Sequence, residues 1–461
     1  MINLRSEAAD AAEVRNIASA TIDAFVAEHA DADLVWTAVP VVRTQYVLHR
    51  LGGLAQMDGS RRMRIAAWRL AKLSRALLRR NASESYLLVS GVLFAFATEN
   101  QRRSLAPVFA VASGKARPEF PLDIRPSAVG LRRLATIATK HARELSELLS
   151  QAGVGHPGGE IAIHRAFQNS ARCIAVAQAT IDRRAPTAVV VATNHSPQAR
   201  ALARVSRLAG VPSVFLPHAP MLMDIGLRDL PFDYAALRGA CEAGWYAAGG
   251  TDKSQLGVVG NPALSPSPIL AAIPNDAPVV LATSPDHRFV IQEMIGAIAS
   301  KTTRPVVLAP HPRQTERSLG TALPPGWSCW RGRTYDLLRS GVATLVQYSS
   351  GVALEGMLLG VPVIELDLLG DGPSYPFLKS KLVSAVRSTQ DLPKALEASA
   401  LRCDDSAYRE QLVTVARGWC DAAGAEAAER AWRFIGHARA EGVHSVPVLD
   451  TWGRANVPGT Y

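Results

Sequence analysis

Between Pro305 and Asp367 the chain sets hydrophobic runs against polar, turn-forming residues, and this alternation constrains its fold more than any other feature. The segment opens PVVLAPHPRQ and closes GVATLVQYSSGVALEGMLLGVPVIELD. Each apolar run has the length of a buried strand and ends abruptly, as strands of a parallel sheet do. In an open parallel sheet, ligands lie just beyond the carboxyl ends of the strands. His311-Pro312, with Arg313 beside it, follows one run, and Ser349-Ser350-Gly351 follows another and opens a helix. Backbone N–H groups at a helix start suit an anion, so a nucleotide or a phosphate is the expected ligand.

The same alternation extends in both directions. Upstream, TAVVVATN (Thr187–Thr193 as strand) leads into the helix SPQARALARVSRLAG and the strand VPSVFLPHA, a complete βαβ unit that implies a parallel sheet. FDYAALRG, a helix through Trp245, and QLGVVGNP continue it. After Asn261-Pro262 comes ALSPSPILAAIPNDAP, a Pro- and Ser-rich linker signal. Beyond it, strands are expected over Val279–Ala282, Pro305–Pro310, Gly326–Trp330, Val342–Gln347 and Pro362–Leu366. Helices are expected over Phe289–Ser300, Tyr335–Ser340 and Val352–Gly360.

The first third is less regular. Residues 1–30 read as a helix and Leu34–Val42 as a buried strand, while Tyr86–Ala97 fits either a strand or a buried helix. Ala106–Ala112 is a further apolar run, and Arg61–Arg80 reads as an Arg-rich amphipathic helix. A chain of 461 residues exceeds one comfortable core. The divisions expected are an acceptor-side α/β domain over 1–262, a donor-binding α/β domain over 263–420, and a helix and tail over 421–461 that returns to the first domain.

The net charge of +10 suits an anionic partner, but no Lys/Arg block with interleaved aromatics marks a nucleic-acid face. The five cysteines lack any metal-ligand spacing and read as reduced, mostly buried thiols. Neither a signal peptide nor an apolar span of membrane length is evident, so a cytoplasmic chain is expected, with at most peripheral contact with an anionic membrane face. The GxxxxGK[ST], strand-linked GxGxxG and GxSxG patterns are absent. Asp31-Ala32-Asp33 has no second acidic group nearby, reads as a helix-to-strand loop, and gives no reason to expect a metal.

The candidate residues divide between the two halves. In the second, the His311 imidazole would donate to a phosphate oxygen, and Ser349 and Ser350 would add hydroxyls and N–H groups. Gly351 would admit the ligand closely, and Glu355 would reach a ribose diol; the plain alternatives are a loop terminus, an ordinary N-cap and a solvent-facing acid. In the first, His218 ends the VFLPHA strand and would serve as general base on an acceptor hydroxyl, or simply as a hydrogen-bonded histidine. Asn194, His195 and Asn261 follow strands on the same side, and Asn261 is equally a turn residue.

Taken in order, LAGVPSVFLPHA, FDYAALRG, VVGNPAL, VVLAPHPRQ, YDLLRSGVATLVQYSSGVALEGMLLGVPVIELD and DAAGAEAAERAWRFI resemble the GT-B-fold glycosyltransferases and glycerophosphotransferases of bacterial capsule, teichoic acid and surface-glycan synthesis. The likeness spans roughly residues 185–435, and its most specific part, GVALEGMLLGVPVIELD, is shared with sugar-nucleotide epimerases of that fold. It implies two doubly wound, Rossmann-like domains facing a cleft. His311 would bind donor phosphates, with Arg313 beside it, Ser349 and Ser350 would grip the nucleotide phosphate, and Glu355 would bind the ribose. His218 matches the first-domain His-Gly motif, although Ala219-Pro220 replaces the usual Gly.

The expected function is metal-independent transfer of a sugar, or a polyol phosphate, from a nucleotide-activated donor to a hydroxyl acceptor. No cofactor is required, the CMP-, CDP-, UDP- or GDP-linked donor being a substrate. Its acceptor would be a glycan, a lipid-linked molecule or a polyanion. Two alternatives stand beside it: a UDP-sugar 2-epimerase of the same fold, and a degenerate binding or scaffold subunit, for which the Ala219 departure speaks.

Overall fold

The computed structural model describes residues 4–29, 33–42, 85–96, 98–114, 126–155, 157–221, 230–265, 273–274, 276–283, 288–311, 314, 323–348, 350–367 and 375–444. It consists of two six-stranded sheets with helices on both faces of each, the α/β architecture expected from the sequence. The Arg-rich segment 61–80 lies outside the described residues, as do Arg313 and Ser349.

Four helices gather at the start of the chain: α1 (Leu4–Glu28), α2 (Asp33–Val42), α4 (Ala128–Gln151) and α5 (Pro157–Arg184) share one apolar cluster that includes Ile22, Phe25, Val39, Leu145 and Phe167. The run expected as a strand over Leu34–Val42 is therefore a helix. Its buried residues, Leu34, Val35, Ala38, Val39 and Val42, recur at helical spacing. Thr37 Oγ1 also donates back to the Asp33 carbonyl at 2.7 Å. A short apolar run has no periodicity that separates strand from buried helix, and partners on α6 (Pro197–Leu208) decide here. Arg204 of that helix pairs with Asp33, and Arg200 lies over the Trp36 ring at 4.2 Å.

The ambiguous run from Tyr86 is a hairpin, β1 (Ser85–Val89) and β2 (Val92–Phe96), turning at Ser90-Gly91 with φ of 49° and 78°. Two successive positive φ values give the turn whose twist matches antiparallel strands, and glycine takes the second at little cost. The apolar run Ala106–Ala112 lies within α3 (Glu99–Ser113). From β2 onward pairing is parallel, in the order β1-β2-β3-β4-β5-β6, with β3 Ala188–Val191, β4 Ser213–Phe215, β5 Tyr234–Leu237 and β6 Leu256–Val258. Alternate side chains separate the faces: Val189 and Val191 pack on α5 and α6, while Ala188 and Val190 face α3 and the last helix, α13 (Gly424–Glu441). Thus the chain returns at its end to cover the first sheet.

The second sheet runs β9-β8-β7-β10-β11-β12, all parallel. Its strands are β7 Val279–Ala282, β8 Val306–Ala309, β9 Ser328–Cys329, β10 Thr344–Gln347, β11 Val363–Leu366 and β12 Ser384–Val386. Chain direction across the sheet reverses between β7 and β10, which opens a crevice at their carboxyl ends. Helices α7 (Ala240–Ala248), α8 (Arg288–Ala299), α9 (Thr334–Arg339), α10 (Val352–Leu358), α11 (Leu392–Asp404) and α12 (Ser406–Trp419) complete the fold. Buried strand residues such as Leu345, Ile364 and Val280 each contribute about 1.5–3 kcal/mol of apolar transfer. No described helix is long and apolar enough to cross a membrane.

Candidate functional site

Polar side chains at the carboxyl ends of β7 and β8 bond to one another, and those of β10 and β11 do the same. Thr283, next after β7, donates its hydroxyl to Gln314 Oε1 at 2.5 Å, and the same oxygen accepts the His311 N–H at 2.8 Å. Gln314 N–H in turn donates to the His311 carbonyl at 2.8 Å. A single buried amide thus fixes the turn that presents the half-buried His311 beyond β8. Gln347, the last residue of β10, does the same for the neighbouring loop. Its Oε1 accepts the Ser350 N–H at 2.6 Å, and its Nε2 donates to the buried Glu365 carboxylate of β11. His311 and Ser350 are therefore held on the loops that follow β8 and β10, the two strands that flank β7.

Glu355 projects from the first turn of α10. Only a small part of its side chain reaches solvent, and burial pushes its carboxyl up to about 7, against the pull of Arg238 and Arg333 and with the help of Asp336. Among the described residues the Glu355 carboxyl takes no hydrogen bond, so the site holds a desolvated acid with its acceptors uncommitted. Tyr335, nearby, is pushed up to about 12, chiefly by burial.

Arg238 belongs to the first sheet, one residue beyond β5, so the two halves of the chain meet here. Its guanidinium is buried and donates to the Pro217 carbonyl at 3.3 Å. Glu242 accepts the Arg238 N–H at 2.8 Å, and burial raises its carboxyl despite that bond and Arg238's charge. Cys420 lies in the same surroundings and is pushed up to about 11 by burial. Across from Arg238, a Cβ added at Gly351 would come within 3.0 Å of Pro220 and 3.4 Å of the Tyr375 hydroxyl. The loop that carries His218 therefore abuts the loop that carries Ser350.

His218 itself is half-buried, with Nδ1 2.6 Å from the Ala192 carbonyl, so that nitrogen carries a proton. His195 and Asn194 follow β3. The His195 ring lies 3.1 Å from the Thr193 hydroxyl, and the Asn194 amide donates to the Tyr246 hydroxyl at 3.2 Å. Asn261 stands at the crossing between the two halves. Its side chain accepts the Ala263 N–H at 3.1 Å, and its backbone bridges to Ala423 and bonds to Ala422 and Gly424. Beside it Gly260 has φ of 93° and a Cβ there would strike the Ala422 carbonyl. Asn261 is thus anchored in the chain crossing.

The structure brings together His311, Ser350, Gly351 and Glu355 on one side and His218 on the other. Reading the sequence missed Gln314, Gln347, Arg238 and Glu242. Arg238 carries the same signal as His218, a polar residue just past a buried strand, and the two glutamines stand in the quoted motifs HPRQ and LVQYSS.

No family model matches the chain, and no curated protein matches it. Among solved structures it is similar to a putative UDP-N-acetylglucosamine 2-epimerase from Listeria monocytogenes, with 14% identity over 76% of this chain and 96% of that one, at a TM-score of 0.47. A UDP-GlcNAc 2-epimerase from Methanocaldococcus jannaschii, in complex with UDP-GlcNAc and UDP, shares 16% identity over 59% and 81%, at 0.42. The calicheamicin glycosyltransferase CalG4 shares 17% identity over 61% and 80%, also at 0.42.

Proposed function

We propose that this chain is a GT-B-type transferase that moves a sugar, or a polyol phosphate, from a nucleotide-activated donor to a hydroxyl acceptor of a bacterial surface glycan. The observation that carries the reading is Glu355: a largely buried acid with no hydrogen-bond partner among the described residues, at the start of α10, beside the switch point of the second sheet. A ribose diol supplies the two hydroxyl donors such a group lacks. In this reading His311 and the loops tied down by Gln314 and Gln347 meet the donor phosphates. Their N–H groups and the imidazole offset charge that grows on the leaving phosphate. His218, with Nε2 as acceptor, takes the proton of the incoming hydroxyl, and closure of the two halves at Pro220 and Gly351 excludes water.

Epimerisation of a UDP-sugar is the second reading, favoured by Glu242 and Glu355, two acids raised by burial near one arginine. Proton relays of that kind use carboxyls raised above their ordinary range. Incubation with UDP-, GDP-, CMP- and CDP-linked donors separates the readings. Nucleotide release that depends on an acceptor supports transfer, a changed sugar without an acceptor supports epimerisation, and neither outcome supports a binding subunit. Full transfer by His311→Ala at low and saturating donor alike would remove the phosphate role given to that residue.

A further inference from the structure

Away from the cleft, in the helical cluster at the start of the chain, His29, His141 and Glu144 bring one ligand atom each to within 4.8 Å of one another. His141 and Glu144 lie three residues apart on α4 and so share a face, while His29 is supplied by the residue that closes α1. His29 Nε2 lies 3.0 Å from one Glu144 oxygen. The other oxygen faces His141 Nδ1 at 3.7 Å, and both of those buried atoms lack a hydrogen-bond partner. Such orphans cost about 1–3 kcal/mol each when nothing satisfies them.

We propose that these three side chains form a binding site for a divalent transition-metal ion of the zinc type. Two imidazoles and one carboxylate suit zinc and its neighbours, whereas calcium and magnesium take oxygen ligands. Around a tetrahedral ion, ligand atoms at about 2.0–2.2 Å lie roughly 3.3 Å apart. The observed spacing needs only small side-chain rotations to reach that. Phe25 and Phe167 hold the rings, with Phe25 4.5 Å from His29 and 6.2 Å from His141 between ring centres. An open groove of about 560 Å³, lined by Glu144 together with Thr136, Thr139, Lys140, Arg143 and Glu147, runs beside the cluster. The bound ion ties the end of α1 to α4.

The test uses the untagged full chain, stripped with chelator and titrated with Co²⁺, whose visible bands report low coordination number, followed by displacement with Zn²⁺. One equivalent per chain is expected, together with a Zn²⁺-dependent rise in Tm. His29→Ala and Glu144→Gln should each weaken binding by about a hundredfold or more, because loss of even an outer-sphere partner costs 10–100-fold. His437→Ala, an exposed histidine elsewhere, should leave it unchanged. Circular dichroism of each variant separates lost ligation from lost folding. Failure to bind one equivalent, or equal binding by wild type, His29→Ala and Glu144→Gln, would overturn the proposal.

Discussion

The two sides of the cleft are built by opposite means. On the second sheet, buried amides act as intermediaries: Gln314 and Gln347 spend their hydrogen bonds on the backbone of the loops that carry His311 and Ser350. On the first, His218 bonds straight to the Ala192 carbonyl, and Arg238 straight to Pro217. The acids differ in the same way. Glu242 has committed its oxygens to backbone N–H groups, including those of Arg238 and Met221, whereas among the described residues Glu355 has committed none. Two acids raised by burial thus differ in how much of their hydrogen-bonding capacity is already spent.

The largest break in this contrast should come from Arg238→Ala. It strips the shared counter-charge from two buried acids and should cost about 3–5 kcal/mol in denaturant unfolding at pH 7. Gln347→Ala follows, at about 2–4 kcal/mol, because it removes the donor to buried Glu365 and the acceptor for Ser350. Gln314→Ala, which strands one hydroxyl and one N–H, should cost about 1–3 kcal/mol.

Glu355 sharpens the comparison through pH. Its folded pKa of about 7 lies above the unfolded value of 4.5, so the folded state holds the proton more tightly. Its contribution is intact below the unfolded value and is lost as pH rises from about 4.5 through 7. Glu355→Gln should therefore gain on the wild type across that window, by on the order of 1–3 kcal/mol without nucleotide. A flat difference in paired pH–stability curves would show that the acid is not desolvated. Smallest of all, Gly351→Ala should change stability by no more than about 0.5 kcal/mol. The reduced freedom of the unfolded chain, worth about 0.4–1 kcal/mol, offsets the crowding of Pro220.

Much of the second sheet was legible because its strands are continuous apolar runs that end at polar turns: Val279–Ala282 was read to the residue, and Pro305–Pro310 and Pro362–Leu366 bracket β8 and β11. Leu34–Val42 misled because a nine-residue run that is apolar except for Thr37 shows no clear period in the sequence, and the arginines of α6 that settle the matter lie far away along the chain. The short β12 and the long α4 were not read at all. Within the site, side chains at strand ends could be found by position. The amides behind them could not, since a buried glutamine and an exposed one look alike until the backbone groups they serve are in place.

The crossing at Asn261 and Ala422–Ala423 bears on the order in which this protein can be made. Until the ribosome has released α13, the sheet face bearing Phe94, Val190 and Val214 lacks the helix that supplies Ala431 and Ile435. The first half of the chain must therefore wait, partly uncovered, for the second half to be synthesised. A nascent chain halted after Trp419 should bind a chaperone or a hydrophobic dye through that face, and the completed chain should not.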